Sequence, residues 1–323
     1  MIRFALFLAP LLVSTLTADS KHPANLTLEA IFTDKNYDQA SVPAIHWTHA
    51  GHTYTTLEEV TPEDEENDIS ATHNIVLVDP SSDKPTILAT PGNLTPTSSE
   101  KPLAINAFTL SDDHKKLLIY TNSKRVWRRN SRGDYYLYHV ADKTLTQLGG
   151  TAAIAAPSTL KYAQFSPDSK HVAYVQNHNL FVQSLADFEV TQLTTDGSPT
   201  LINGTFDWVY EEEFGRHRGF EWSHDSKHLA YWQIDDSRVE QFTLVNYTDE
   251  LYPELTTFAY PKVGQLNPAA RAFVVPAAGG DPVQLQIPGD PRDNYITRLT
   301  WVDSPKRVIV RQIPRLQNTA HLY

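Results

Sequence analysis

The sequence predicts an all-β protein built as a β-propeller, and two observations carry this prediction. Short runs of β-branched and aromatic residues alternate with clusters of turn residues, and no long segment has helical periodicity. A self-similar unit also recurs along the chain at a spacing typical of propeller blades with four strands each. The 323 residues are 41% apolar, which is enough to form a sizeable core.

The clearest copy of the unit is FSPDSKHVAYVQNHNLFVQSLADFEVTQLTTDG, residues 165–197. It contains a polar turn followed by three strand patterns, HVAYV, NLFVQSL and EVTQLTT. Pro167 fixes φ in the turn, and the Asp168 carboxylate can accept a hydrogen bond from the backbone beyond it. Each copy of this unit is therefore expected to form one blade.

Four further copies begin at residues 45, 108, 220 and 299. With Thr48, Ser111, Ser166 and Ser223 as anchors, the steps between copies are 63, 55 and 57 residues. The last copy, LTWVDSPKRVIVRQI at 299–313, lacks a following half. About four and a half blades therefore fit this sequence. A propeller ring usually has more, so we expect the chain to be truncated relative to its architecture.

The first 18 residues have the pattern of a signal peptide. Arg3 precedes an apolar stretch, residues 4–17, that is too short to span a bilayer, and cleavage after Ala18 fits this pattern. We expect a secreted or periplasmic protein whose propeller domain covers residues 19–323. The alternative is a membrane anchor formed by the uncleaved segment. The chain has no cysteine, so neither disulfides nor thiolate chemistry is available to it.

The sequence lacks the motifs of several kinds of catalytic and binding sites. The formal net charge of −11 argues against a nucleic-acid partner. The sequence has no G-x-S-x-G, no H-E-x-x-H and no glycine-rich phosphate loop, so we assign no catalytic residue and no cofactor. His46, His49 and His52 are three apart but cross a strand–turn boundary, a spacing that lacks zinc geometry, and no metal site is predicted.

One segment stands outside the repeat, FDWVYEEEF at 206–214, and it has two interpretations. It fits a solvated helix start with Asp207 as N-cap and glutamates favoured by the helix dipole. It also fits an inserted, short and distorted helical turn that Trp208, Tyr210 and Phe214 pin into a core. In the second case the acidic edge is fixed and suits an ammonium group.

Longer motifs carry a family resemblance. DWVYEEEF is followed by a W-S-x-D-x-K turn and by DELYPELTTFAYPKVGQLNPAARAFVV, and LTLEAIF and VWRRNSRGDYYLYHV occur upstream. Together they resemble the N-terminal β-propeller of dipeptidyl peptidase IV, in the prolyl oligopeptidase family of serine peptidases. The resemblance implies an eight-bladed propeller followed by an α/β-hydrolase domain with a Ser-Asp-His triad. It also implies release of Xaa-Pro or Xaa-Ala dipeptides from free N-termini, and a possible homodimer. The hydrolase domain is missing from this sequence, so no triad residue is carried over.

The resemblance assigns site residues by position. Glu212 and Glu213 correspond to the glutamates that hold the substrate α-ammonium, whereas Glu211 is assigned to the turn. Arg128 corresponds to the arginine that binds the substrate carbonyl region, with Arg129 as the register alternative. The implied function is substrate recognition in a dipeptidyl peptidase, with a peptide that has a free N-terminal amine as partner. The alternatives are a non-catalytic exported propeller fragment that binds peptides, and a propeller scaffold whose acidic turn is incidental.

Overall fold

The structure is a computed structural model, and it describes residues 26–34, 36–39, 44–49, 51–60, 72–82, 84–149, 156–302 and 307–323. The chain divides into two units, residues 1–44 and residues 45–323. In the first unit, Glu29–Thr33 forms a π-helical turn, and the N–H of Asp34 donates to the carbonyl of Glu29 at 2.8 Å. The predicted signal peptide, residues 1–18, lies outside the described residues.

The second unit is built almost entirely of strands, with one 3-10 turn at Pro91–Leu94 and one α-helix, α1, at Trp208–Phe214 among the described residues. The strands are β1 His46–Trp47, β2 Tyr54–Val60, β3 Thr72–Val78, β4 Thr86–Ala89, β5 Ala107–Leu110, β6 Lys116–Val126, β7 Arg129–His139, β8 Thr144–Gln147, β9 Leu160–Phe165, β10 His171–Gln176, β11 Asn179–Ser184, β12 Val190–Gln192, β13 Leu201–Asn203, β14 Phe220–Trp222, β15 His228–Asp235, β16 Gln241–Asn246, β17 Glu254–Ala259, β18 Ala269–Pro276, β19 Val283–Gln284, β20 Asn294–Trp301, β21 Val308–Pro314 and β22 His321–Leu322.

These strands form successive antiparallel blades, which confirms the predicted propeller. Strands β1–β4 form the first blade, β5–β8 the second and β9–β12 the third. The second and third blades are joined where β7 pairs with β9. In the fourth blade, β15 pairs with β18 on one side and with both β13 and β14 on the other. Strands β20–β22 form the fifth sheet, and β16 and β17 form a separate hairpin.

The blades stack through apolar side chains that alternate along their strands. In β6, Leu117 packs towards the first blade and Leu118 towards the third. In β10, Val172 packs towards the second blade and Val175 towards the fourth. Because neighbouring residues of a strand point to opposite faces, both faces of these blades are buried.

The repeated sequence unit has a repeated turn as its physical basis. In the third blade, the Asp168 carboxylate accepts hydrogen bonds from Ser166 Oγ at 2.6 Å and from the N–H of Lys170 at 3.1 Å. The same Ser–Asp pair recurs in the second blade, at Ser111, and in the fourth, at Ser223. The predicted backbone bond of Asp168 is therefore confirmed.

Two hairpins project from the blades near α1. Strands β6 and β7 are eleven residues each, and residues 127–128 form the tight turn between them. The β16–β17 hairpin leaves the fourth blade between β15 and β18, and its Phe258 ring lies 6.5 Å from the ring of Trp127. In the described part of the chain, no helix has the length and apolarity needed to cross a membrane.

Candidate functional site

The acidic run forms α1, a regular two-turn α-helix with a cap at each end. At its start, the Asp207 carboxylate accepts a hydrogen bond from the N–H of Tyr210 at 3.2 Å, as expected of an N-cap. At its end, Gly215 adopts φ +59°, the left-handed conformation that favours glycine. The predicted helical segment is therefore confirmed, but it is a regular helix and not a distorted turn.

Aromatic side chains hold α1 in the core, as the sequence predicted. The Tyr210 hydroxyl accepts a hydrogen bond from the backbone N–H of Ile296 at 2.9 Å, so the helix is tied to the fifth sheet. The ring of Phe214 lies 4.8 Å from that of Tyr295, and the ring of Trp208 lies 4.3 Å from that of Tyr260. The glutamates are thus carried on a segment that is fixed to its surroundings.

The three glutamates of α1 have three different environments. Glu212 Oε1 lies 3.0 Å from Nε of Arg128, at the tip of the β6–β7 hairpin. Glu211 is the most enclosed of the three and Glu213 is exposed. Successive side chains leave a helix about 100° apart, so the three side chains start in different directions.

Glu211 lies in a charged but partly dehydrated environment. Burial raises the pKa of its carboxyl to about 7, while the positive charge of Lys161 opposes this shift and the charge of Asp207 adds to it. His217 Nδ1 lies 3.8 Å from Glu211 Oε2, and burial lowers the pKa of this histidine. The ionisation of Glu211 therefore changes near neutral pH.

A cavity of about 450 Å³ lies beside α1 and receives Glu211. Its wall combines charged side chains with aromatic rings from both projecting hairpins and from α1, namely Arg132, Lys161, Glu211, Trp127, Trp208 and Phe258. Glu212, Glu213 and Arg128 are not part of this wall. The cavity and the Arg128–Glu212 pair thus lie on adjacent sides of the same helix.

Two buried aspartates also line the cavity. Burial raises the pKa of Asp207 to about 7 and that of Asp236 to about 6, and the charge of Asp236 adds to the shift of Asp207. Asp207 Oδ2 and Asp236 Oδ1 have no hydrogen-bond partner among the described residues. Each group therefore has one buried oxygen without a partner in this described part of the chain, and this makes its ionisation more costly than that of an exposed aspartate.

The structure brings together two of the residues that the sequence singled out, Arg128 and Glu212. Arg129, the register alternative, is exposed, and its charge acts on Glu211. Sequence reasoning missed the burial of Glu211 and its neighbour Lys161. The one sequence signal for this burial is the adjacent Trp-Val-Tyr cluster, because apolar side chains beside the acidic run indicate that part of the run is enclosed. Among the described residues, no cluster of three or more His, Asp or Glu side chains suits a metal ion.

Comparisons with known proteins agree on one group. Residues 111–323 match the family described as the dipeptidyl peptidase IV (DPP IV) N-terminal region. The chain is 35% identical over 207 residues to dipeptidyl aminopeptidase B of Saccharomyces cerevisiae, covering 62% of this chain and 24% of the yeast protein. It is 31% identical over 219 residues to inactive dipeptidyl peptidase 10 of Rattus norvegicus, covering 66% of this chain and 27% of the rat protein.

Structural comparison gives the same picture. The fold is similar to the crystal structure of Porphyromonas gingivalis dipeptidyl peptidase 4, with a TM-score of 0.77 and 28% sequence identity. The similarity covers 92% of this chain and 40% of that structure. The chain matches about a quarter of the length of the yeast and rat relatives.

Proposed function

The chain belongs to the family of dipeptidyl peptidase IV N-terminal regions, and we propose that it recognises the free N-terminus of a peptide in a serine-type dipeptidyl peptidase. The proposed whole enzyme releases Xaa-Pro or Xaa-Ala dipeptides, and this chain positions the substrate for that reaction. Glu212 and Glu213 bind the α-ammonium group, and Arg128 binds the carbonyl region that follows it.

The observation that carries the proposal is the 3.0 Å contact between Arg128 Nε and Glu212 Oε1. It places a guanidinium group and a carboxylate side by side at the surface, on elements from separate blades. A peptide N-terminus presents the complementary pair, a positive ammonium group and a carbonyl oxygen a few ångströms away. The exposed Glu213 next in the helix supplies a second carboxylate for the ammonium.

Because α1 is fixed in position, binding of the ammonium group to it also positions the rest of the peptide. An ammonium group bound at a fixed acidic edge sets the distance from the N-terminus to the peptide bond presented for cleavage. Positioning of this kind lowers the entropic cost of reaction without taking part in bond chemistry. Each charge contact at about 4 Å contributes a few kcal/mol at an effective dielectric near 20, before desolvation is subtracted.

A second candidate function is peptide binding without hydrolysis. The relative named inactive dipeptidyl peptidase 10 is 31% identical to this chain, close to the 35% of the yeast aminopeptidase. Similarity of the N-terminal region therefore does not separate the two functions. Hydrolysis of a Gly-Pro anilide by the full-length protein does.

The experiment that tests recognition compares free and blocked N-termini. We expect the full-length protein to bind a peptide with a free amine and to bind its N-acetylated form at least tenfold more weakly, a difference of about 1.4 kcal/mol. Glu212→Gln and Glu213→Gln should each weaken binding of the free peptide and leave binding of the acetylated peptide nearly unchanged. Equal binding of both peptides by the wild-type protein refutes the proposal, and binding without turnover supports the second candidate.

A further inference from the structure

A second charged cluster lies beyond α1, where the fourth blade meets the fifth sheet. Arg216 and Arg218 belong to the segment between α1 and β14, whereas Arg298 and Arg311 are cross-strand partners on β20 and β21. Strands β14 and β20 are edge strands that lie near each other. Four guanidinium groups thus gather in a chain whose formal net charge is −11.

The cluster lacks matching negative charge. Glu221 contacts Arg218, with Oε2 3.2 Å from Nη2. No ion pair of Arg216, Arg298 or Arg311 occurs within the described residues. Burial lowers the pKa of Arg216, Glu221 opposes the shift, and the charges of the three other arginines add to it. One carboxylate therefore faces four like charges, and an added anion would relieve their repulsion.

A cavity of about 460 Å³ lies at this cluster, and its wall includes Arg216, Arg298 and Glu221 but neither Arg218 nor Arg311. Arg216 donates one Nη2 hydrogen bond to the carbonyl of Thr297, and Arg298 donates from Nε to Thr300 Oγ1 at 3.0 Å. A guanidinium group has five N–H donors in a planar fork, so most of these donors remain available. Such a fork matches the paired oxygens of a phosphate or carboxylate group.

A buried indole gives independent support. Trp222 also lines this cavity and is only 6% exposed, yet its Nε1–H has no hydrogen-bond partner among the described residues. The neighbouring Trp301 differs, because its Nε1–H donates to the carbonyl of Glu221 at 3.0 Å. An unpaired buried donor is unfavourable, so Trp222 points to an acceptor that a ligand would supply.

We propose that this cavity binds an oxyanion, held by the guanidinium groups of Arg216 and Arg298 and by the indole N–H of Trp222. The chemistry suits a phosphate group and a carboxylate group alike. A volume of about 460 Å³ exceeds what one such group fills, so the ligand carries further atoms. The site shares no residue with the proposed N-terminus site and does not depend on that function.

The test measures binding of two probes, inorganic phosphate and succinate, to the full-length protein by calorimetry at low ionic strength. Arg298→Gln should raise the Kd of the preferred probe roughly tenfold or more, because the probe loses a charge-assisted contact. Trp222→Phe, which removes the N–H donor together with the pyrrole part of the indole, should raise it several-fold. The matched control is Arg238→Gln, which changes the same charge at an exposed position outside the cavity and should leave Kd unchanged.

Each outcome decides the proposal. Tighter binding of phosphate identifies a phosphorylated ligand, and tighter binding of succinate identifies a carboxylate ligand. The proposal is overturned if both probes bind the wild-type protein with a Kd above about 10 mM, which is tenfold weaker than the 1 mM Kd that corresponds to about −4.1 kcal/mol. It is also overturned if Arg238→Gln weakens binding as much as Arg298→Gln does. If Arg298→Gln or Trp222→Phe lowers the Tm, Arg298→Lys decides, because it keeps the charge and removes the planar fork, and an unchanged Kd in that variant rejects the site.

Discussion

Arg128 and Glu212 meet at 3.0 Å between Nε and Oε1, and this contact joins the hairpin tip of the second blade to the helix inserted between β13 and β14 of the fourth. The Arg128 side chain is 78% exposed and that of Glu212 is 21% exposed. Water therefore screens the pair, which contributes little to folding. Its effect is to hold a positive and a negative group at a fixed spacing on the surface.

Arg128→Gln should change the free energy of unfolding by less than about 1 kcal/mol, since exposed ion pairs contribute no more than that. The same change should weaken binding of free peptide N-termini by the full-length protein. Urea unfolding and peptide titration measure the two effects. Arg129→Gln is the matched control, and a larger binding loss in that variant would transfer the role of Arg128 to Arg129.

Glu211→Gln should alter the pH dependence of peptide binding. Burial raises the pKa of Glu211 to about 7, so at pH 6 the carboxyl is largely protonated and the neutral amide replaces it with little effect. Above pH 7 the wild-type carboxylate attracts the peptide ammonium group, and the variant lacks this attraction. The ratio of variant Kd to wild-type Kd should therefore rise from pH 6 to pH 8. A ratio that stays constant would show that Glu211 does not act on the ligand.

Asp207→Asn should stabilise the protein at neutral pH. The folded-state pKa of Asp207, about 7, lies above the ordinary value of 3.8, so the folded state retains a proton that the unfolded state has lost. The resulting destabilisation develops as pH rises from about 4 to 7, and it amounts to a few kcal/mol at about 1.36 kcal/mol per pKa unit. Asparagine keeps the N-cap acceptor and removes the charge.

The comparison variant for Asp207→Asn is Asp225→Asn, which should destabilise the protein at neutral pH instead of stabilising it. A hydrogen bond from Ser223 lowers the pKa of Asp225, so its stabilisation is present above pH 3.8 and is lost as pH falls through the folded pKa. Urea unfolding at pH 4, 5.5 and 7.5 measures both variants. If the difference in free energy of unfolding between Asp207→Asn and wild type does not grow with pH, the raised pKa of Asp207 is contradicted.

Tyr210→Phe should destabilise the protein by about 1–3 kcal/mol, because the buried N–H of Ile296 loses its acceptor. Tyr231→Phe is a matched control: this ring is also buried, and its hydroxyl makes no hydrogen bond in the described part of the chain. Chemical unfolding measures both. If the two variants lose equal stability, the Tyr210 hydroxyl does not anchor α1 to the fifth sheet.

The blades are predictable from the sequence, because the interactions that define them act between residues close together in the chain. Alternating apolar residues place side chains on both faces of each strand, and the Ser–Asp turn satisfies its own hydrogen bonds within a few residues. The helix was predictable for the same reason. Asp207 and the glutamates after it are a local start signal, and Trp208 and Tyr210 marked the face that the core would bury.

Which charges meet depends on how the blades pack. Arg128 and Glu212 lie on separate blades, and so do Lys161 and Glu211, so no spacing in the sequence connects them. The sequence shows three consecutive carboxylates without their surroundings, whereas the fold directs one towards a cavity, one towards an arginine and one towards solvent. Ionisation depends on burial and on neighbouring charges, and both follow from how the blades stack. The arginine cluster around Arg216 arises in the same way, from edge strands that only the packed fold brings together.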